Sequence, residues 1–151
     1  MQITVDTSSI RNLATEALVT YAFEKDGCIE GVLGELDAAT GGRLRALAES
    51  GELTGKALEM TLLHYPAGLV AQRLLVVGAG KPEKFNSAEL RKLAGAALRY
   101  LKSRSVKGFA FLPRENDRTP GAAQAIAEGF LIAAMESDRY KTENKNGGTE
   151  I

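Results

Sequence analysis

One histidine, one cysteine and nineteen carboxylates are the side chains of this 151-residue chain best suited to bind a metal, attack a carbonyl or move a proton. Their spacing sets up none of these reactions. His64 stands beside Tyr65-Pro66 with no recognisable partner, and a zinc site needs several good donors around one ion. A serine or cysteine nucleophile also needs an activating base, so it fails for the same reason. Cys28 has no adjacent histidine or base to lower its pKa, which makes it an inert thiol. Two-metal hydrolysis requires carboxylates converging on ions about 3.5–4 Å apart. Asp6, Asp26, Asp37, Asp117 and Asp138 sit in unlike contexts, while Glu35 and Asp37, two apart on a predicted helix, face different directions.

One segment could approach a phosphate. Gly78-Ala79-Gly80-Lys81 follows an apolar run, and small residues after a strand let backbone N–H groups come close to an anion. The dinucleotide fingerprint would place a third glycine at position 83, where Glu83 repels phosphate. A tight turn at the end of a buried strand is the favoured reading, with Gly78, Ala79, Gly80 and Lys81 as a ligand loop the alternative.

These residues must be positioned by an alternation of strands and helices. A short strand is expected near Ile3 to Val5, and a second over Ala17 to Phe23, rich in β-branched and aromatic residues. Lys25-Asp26-Gly27 turns the chain. From Leu33 to Ala48 the apolar residues Leu33, Leu36, Leu44 and Leu47 share a helical face, and Gly41-Gly42 offers a place for the helix to split. Leu58, Met60 and Leu62 alternate with polar residues in a predicted edge or antiparallel strand, Ala57 to Leu63. The continuous run Arg73-Leu74-Leu75-Val76-Val77 predicts a central strand covered on both faces.

Asn86-Ser87-Ala88-Glu89 has the spacing of a capping box and opens a helix with Leu90, Leu93, Ala94, Ala97, Leu98 and Leu101 on one side. Val106 to Leu112 predicts another strand, and Thr119-Pro120 starts a helix through about Met135, apolar over most of its surface and therefore expected to be buried. Residues 142–151 are polar, the composition of a tail or linker. The pattern predicts an α/β sandwich.

Composition bounds the function. Hydrophobic residues make up 44% and charged residues 25%, ordinary for a water-soluble domain and unlike a disordered or membrane-spanning chain. The N-terminus lacks the basic start and apolar stretch of a secretory signal, so the expected location is cytoplasmic. The formal net charge is zero, yet residues 81–118 carry ten Lys/Arg against four Asp/Glu. The favoured reading is the wet side of a helix, with nucleic-acid binding the weakest alternative.

Two blocks carry a resemblance. Gln72-Arg73-Leu74-Leu75-Val76-Val77-Gly78-Ala79-Gly80-Lys81, followed by Leu90-Arg91-Lys92-Leu93-Ala94-Gly95-Ala96-Ala97, resembles the N-terminal domain of the leucine aminopeptidase family. Ala127-Glu128-Gly129-Phe130-Leu131 and Asp138-Arg139-Tyr140-Lys141 resemble the alanine-rich helix and D-x-Y-K segment that close this domain, in the same order and separation. Family members usually carry two aromatic residues where this chain has Met135-Glu136-Ser137.

The resemblance implies a macro-like fold for residues 1–141, a mixed sheet between helices. It implies that the chemistry belongs to a second domain of the same polypeptide, which holds two divalent metals (Zn or Mn) through a lysine, aspartates and a glutamate. The family's N-T-D-A-E-G-R, K-x-D-M and G-K-G-x-x-F-D segments have no counterpart here, so no catalytic, metal or cofactor residue carries over onto this chain. The implied partners are that catalytic domain and neighbouring subunits of a homohexamer, with no membrane. The rival reading is a macro-type module for ADP-ribose or another nucleotide, using the segment after Val77.

Overall fold

A computed structural model of the chain describes residues 2–3, 9–24 and 31–146, with side chains as far as Glu136. Strand β1 (Leu18–Phe23) is followed by helices α1 (Gly31–Ala39) and α2 (Arg43–Glu49), strands β2 (Met60–His64) and β3 (Arg73–Gly80), helix α3 (Ser87–Ser103), the short strand β4 (Ala110–Phe111) and helix α4 (Pro120–Asn146). The sheet order is β2-β3-β1-β4. β1 runs parallel to β3 and β4, while β2 is antiparallel to β3, so the sheet is mixed.

Period-two alternation divides the two inner strands between two cores. Val19, Tyr21, Leu75 and Val77 pack with α3 and α4, while Leu18, Ala22, Leu74 and Val76 pack with α1 and α2. Leu74, Leu75, Val76 and Val77 are all 0% exposed, as expected of a strand sandwiched between helical layers. This is the expected three-layer arrangement.

The helices start and stop for local reasons. Gly41 and Gly42 take left-handed backbone, φ 70° and 84°, and split the predicted helix into α1 and α2. Gly42 offers α2 no capping side chain. Asp37 replaces it, its buried Oδ1 accepting the N–H of Arg45 at 2.9 Å. At α3 the Asn86 side chain accepts the N–H of Glu89 at 3.0 Å. The Glu89 carboxylate turns to Lys92 at 3.5 Å, so it is the asparagine half of the predicted capping box that forms. Thr119 caps α4 by accepting the Ala122 N–H at 3.1 Å.

Some expectations change. The strand near Ile3–Val5 lies mostly outside the described residues, and the turn at Lys25–Gly27 lies wholly outside them. The strand over 106–112 shortens to Ala110–Phe111, flanked by bonds from Ala110 N–H to Ala17 O and Leu112 N–H to Val19 O. α4 runs to Asn146, past the expected Met135 and into the polar tail, and it is not buried all round. Ala122, Ala125, Ile126, Phe130 and Ala133 are buried, but Leu131, Ile132 and Met135 are exposed.

Candidate functional site

Among the described residues the sequence-nominated side chains do not converge. His64 ends β2, exposed and opposite Arg73. Cys28, Asp6 and Asp26 lie outside the described residues. Asp37 is committed to capping α2. Among the described residues no group of three His, Cys, Asp or Glu side chains could hold a metal ion.

The candidate ligand segment ends a strand and is not a free loop. Gly78, Ala79 and Gly80 are the last three residues of β3, paired with β1 through Ala22↔Gly78 and Phe23↔Gly80. The N–H of Gly78 donates to Glu59 O (2.7 Å) and that of Gly80 to Gly55 O (2.8 Å), so these two donors are engaged within the chain. Glycine is required at 78 because segment 55–59 crosses it: an added Cβ would lie 1.7 Å from the Lys56 carbonyl oxygen. Lys81 follows the strand, exposed.

Glu59 pins that crossing segment. Its carboxylate accepts the Thr54 hydroxyl at 2.5 Å and the backbone N–H groups of Thr54 and Gly55 at 2.9 and 3.2 Å. Burial pushes its pKa up, but these hydrogen bonds and nearby Lys56 outweigh it and hold the carboxyl below the usual range.

Part of the basic stretch is paired on the protein itself. Arg91 meets Glu128 at 3.1 Å and Arg99 meets Glu136 at 3.0 Å, both across the α3–α4 contact. Lys92 pairs with Glu89, and Arg104 lies over the Tyr100 ring.

In parallel sheets, ligands bind beyond the carboxyl ends of the strands. Here that end is filled by side chains of the chain. Buried Tyr21 donates its hydroxyl to Asp117 Oδ2 at 2.5 Å and accepts the Arg114 N–H at 3.1 Å, while the Arg114 guanidinium donates to Tyr21 O at 3.1 Å. Phe85 and Phe111 stack on the Tyr21 ring and Phe23 meets it edge-on. Burial, then the bond to Asp117, raises the Tyr21 pKa far above that of a free tyrosine, so the hydroxyl stays a donor.

Glu115 completes the closure. Its Oε1 accepts the Val32 N–H at the first turn of α1, where a bound anion would sit. Gly31, at φ 58°, leaves room: an added Cβ would fall 2.1 Å from that oxygen. Burial raises the Glu115 pKa, but its own N–H, that of Val32, Arg114 and Arg118 more than compensate and lower it. The arrangement binds a carboxylate internally and presents no activated nucleophile.

A pH dependence follows. For a carboxyl whose pKa is depressed by folding, the stabilisation is present above the unfolded value, about 4.3, and is lost as pH falls through the lower folded value. Glu115→Gln and Glu59→Gln are each expected to lower stability most near neutral pH and to flatten the acid limb of the denaturation midpoint against pH, the variant and parent curves converging in acid. An acid limb as steep in both variants as in the parent would disprove the assignment.

The model of the cytosol aminopeptidase family N-terminal domain matches residues 19–144. The chain belongs to that family. A probable cytosol aminopeptidase of Solibacter usitatus is 42% identical over 145 residues, covering 96% of this chain and 28% of that protein. The chain thus spans little more than a quarter of such a relative. Tomato leucine aminopeptidase, in a K354E mutant structure, superposes with a TM-score of 0.69 at 23% identity, over 85% of this chain and 27% of that one. The Trypanosoma brucei macrodomain, solved in complex with ADP-ribose, gives 0.63 at 20% identity, over 81% and 53%. These two likenesses establish the macro-like fold. Among the described residues no helix is long and apolar enough to cross a membrane.

Apart from Asp117, weighed only as one of several scattered carboxylates, the residues that close the strand ends were not singled out in the sequence. Tyr21, Gly31, Arg114, Glu115 and Asp117 come from segments far apart along the chain. The one local signal is the charge-dense run Arg114-Glu115-Asn116-Asp117-Arg118 directly after Pro113.

Proposed function

We propose that this chain is a non-catalytic domain that positions and assembles the subunits of a longer cytoplasmic aminopeptidase polypeptide. Hydrolysis of peptides from the N-terminus, leucine-like residues preferred, would belong to the remainder of that polypeptide on two divalent metals, zinc or manganese. The observation that carries this reading is the match to an N-terminal domain model together with coverage of only 28% of a 42%-identical relative. The chain alone is expected to release no product from leucine-based chromogenic substrates, with or without added manganese or zinc. Turnover that follows the monodisperse protein peak and disappears with chelator would overturn the division of labour.

A nucleotide-binding role is the second reading, favoured by the shape shared with the ADP-ribose-bound macrodomain. The Glu115 carboxylate on α1 and the engaged N–H groups of Gly78 and Gly80 weigh against it. Calorimetric titration with ADP-ribose is therefore expected to show no saturable heat.

A further inference from the structure

Among the described residues β2 is an edge strand with no strand on its outer side. Its inward bonds are fixed at both ends, where Tyr65 N–H donates to Gln72 O and Gly78 N–H donates to Glu59 O. On the register from Met60↔Val77 to His64↔Arg73, Thr61 and Leu63 share that inward direction. The N–H and C=O groups of Met60, Leu62 and His64 therefore point away from β3, and no described strand pairs with them. Edge strands are ordinarily blunted by lysine, proline, an inward charge or a covering element. Met60-Thr61-Leu62-Leu63-His64 contains neither proline nor any Lys, Arg, Asp or Glu.

The ends of the strand are unusual as well. Leu58 (φ 63°) and Tyr65 (φ 47°) bracket β2, and their side chains are 47% and 72% exposed. Left-handed backbone is costly for side chains of this size. Here it accompanies two apolar groups left in solvent beside an unpaired strand.

We propose that β2 is a homotypic docking edge, through which two copies of the chain join antiparallel and continue one sheet across a two-fold axis at Leu62. The inference rests on the assembly role proposed above and gives it a surface. A two-fold contact must be self-complementary, and this strand is. Leu62 exchanges both backbone bonds with Leu62 of the other copy, and Met60 faces His64 of the other copy at each end. Tyr65 of one copy then lies level with Glu59 of the other, next to the exposed Leu58. No pair sets like charges opposite each other, and the formal net charge of zero leaves no long-range repulsion between copies. A five-residue edge about 17 Å long buries less than the roughly 1,000 Å² of a stable interface. The isolated chain is therefore monomeric when dilute and dimeric when concentrated.

Sedimentation velocity and light scattering of the whole chain, from micromolar to near-millimolar, test this with paired charge variants. Met60→Glu with His64→Glu in one chain sets carboxylates opposite each other at both ends and is expected to weaken the dimer about tenfold or more. Met60→Lys with His64→Glu sets opposite charges there and is expected to restore or tighten it, with added salt cancelling the gain. Circular dichroism checks that both remain folded. Should either fail to fold, His64→Pro removes one outward N–H, costs no bond to β3 and is expected to weaken the dimer too.

A parent chain that stays monomeric throughout, or a dimer indifferent to these changes, overturns the β2 edge as the self-docking surface. A peptide strand of different origin on that edge would show itself by the first result. The assembly role fails separately, if removal of residues 1–141 from the longer polypeptide leaves its subunit number unchanged.

Discussion

Val77→Asp is expected to leave the chain unfolded at room temperature, Leu75→Ala to lower its stability by about 2–5 kcal/mol, and Lys102→Ala to change it by no more than about 0.5 kcal/mol. Val77 and Leu75 are 0% exposed in the core between the sheet and α3/α4. An aspartate at 77 would bury a carboxylate with no cation or donor placed for it, a cost of several kcal/mol. Domains of this size have only about 5–15 kcal/mol in total. The leucine truncation loses transfer energy and leaves a cavity, whereas Lys102 lies on the wet side of α3. Chemical denaturation midpoints and calorimetry separate the three. Similar midpoints would mean that β3 is not the centre of the fold.

Gly129→Val is expected to destabilise the chain by about 1–3 kcal/mol or more, while Arg91→Ala costs at most about 1 kcal/mol. Both residues lie at the α3–α4 contact, so the comparison asks what holds that pair together. An added Cβ at Gly129 would fall 2.3 Å from the Arg91 carbonyl oxygen and 3.1 Å from the Ala94 Cβ, and one at Gly95 would fall 3.2 Å from the Gly129 carbonyl oxygen. The helix backbones touch there, and a larger side chain must push them apart. The Arg91–Glu128 and Arg99–Glu136 pairs span the same contact, but their side chains are 41–59% exposed. Solvent and salt screen such pairs, so close packing dominates. Equal losses for the two substitutions, measured by denaturant titration, would reverse that ranking.

What was legible in the sequence follows from periodicity. The run at 73–77, the stripe from Leu90 to Leu101 and the break at Gly41-Gly42 each carry a local signature, and each is where that signature places it. α4 misled because its alanine-rich sequence is apolar on several sides, and composition cannot say whether every side has a neighbour. Leu131, Ile132 and Met135 are consequently exposed where burial was expected. Glycines 78 and 80 read as turn punctuation but serve a strand crossed closely by another backbone, a use with the same sequence signature. The closed strand ends depended on pairing Tyr21 with Asp117 and Val32 with Glu115, contacts of long sequence separation that no local pattern reports. The family resemblance was legible because its two blocks coincide with β3, α3 and α4, which share one core.

The strand order has a consequence for how the chain is made. β1 is synthesised before the other described strands, yet it pairs only with β3 and β4, Leu18 lying beside Leu74 and Ala110. Leu18-Val19-Thr20-Tyr21-Ala22-Phe23 must therefore leave the ribosome as an unpaired, uncharged, β-prone segment and wait until Arg73–Gly80 follows. The β2–β3 hairpin is the one local strand pair in the described sheet, closing at His64 and Arg73. It can form first and offer β1 a ready-made partner. Until it does, β1 is the segment most in need of protection by a chaperone.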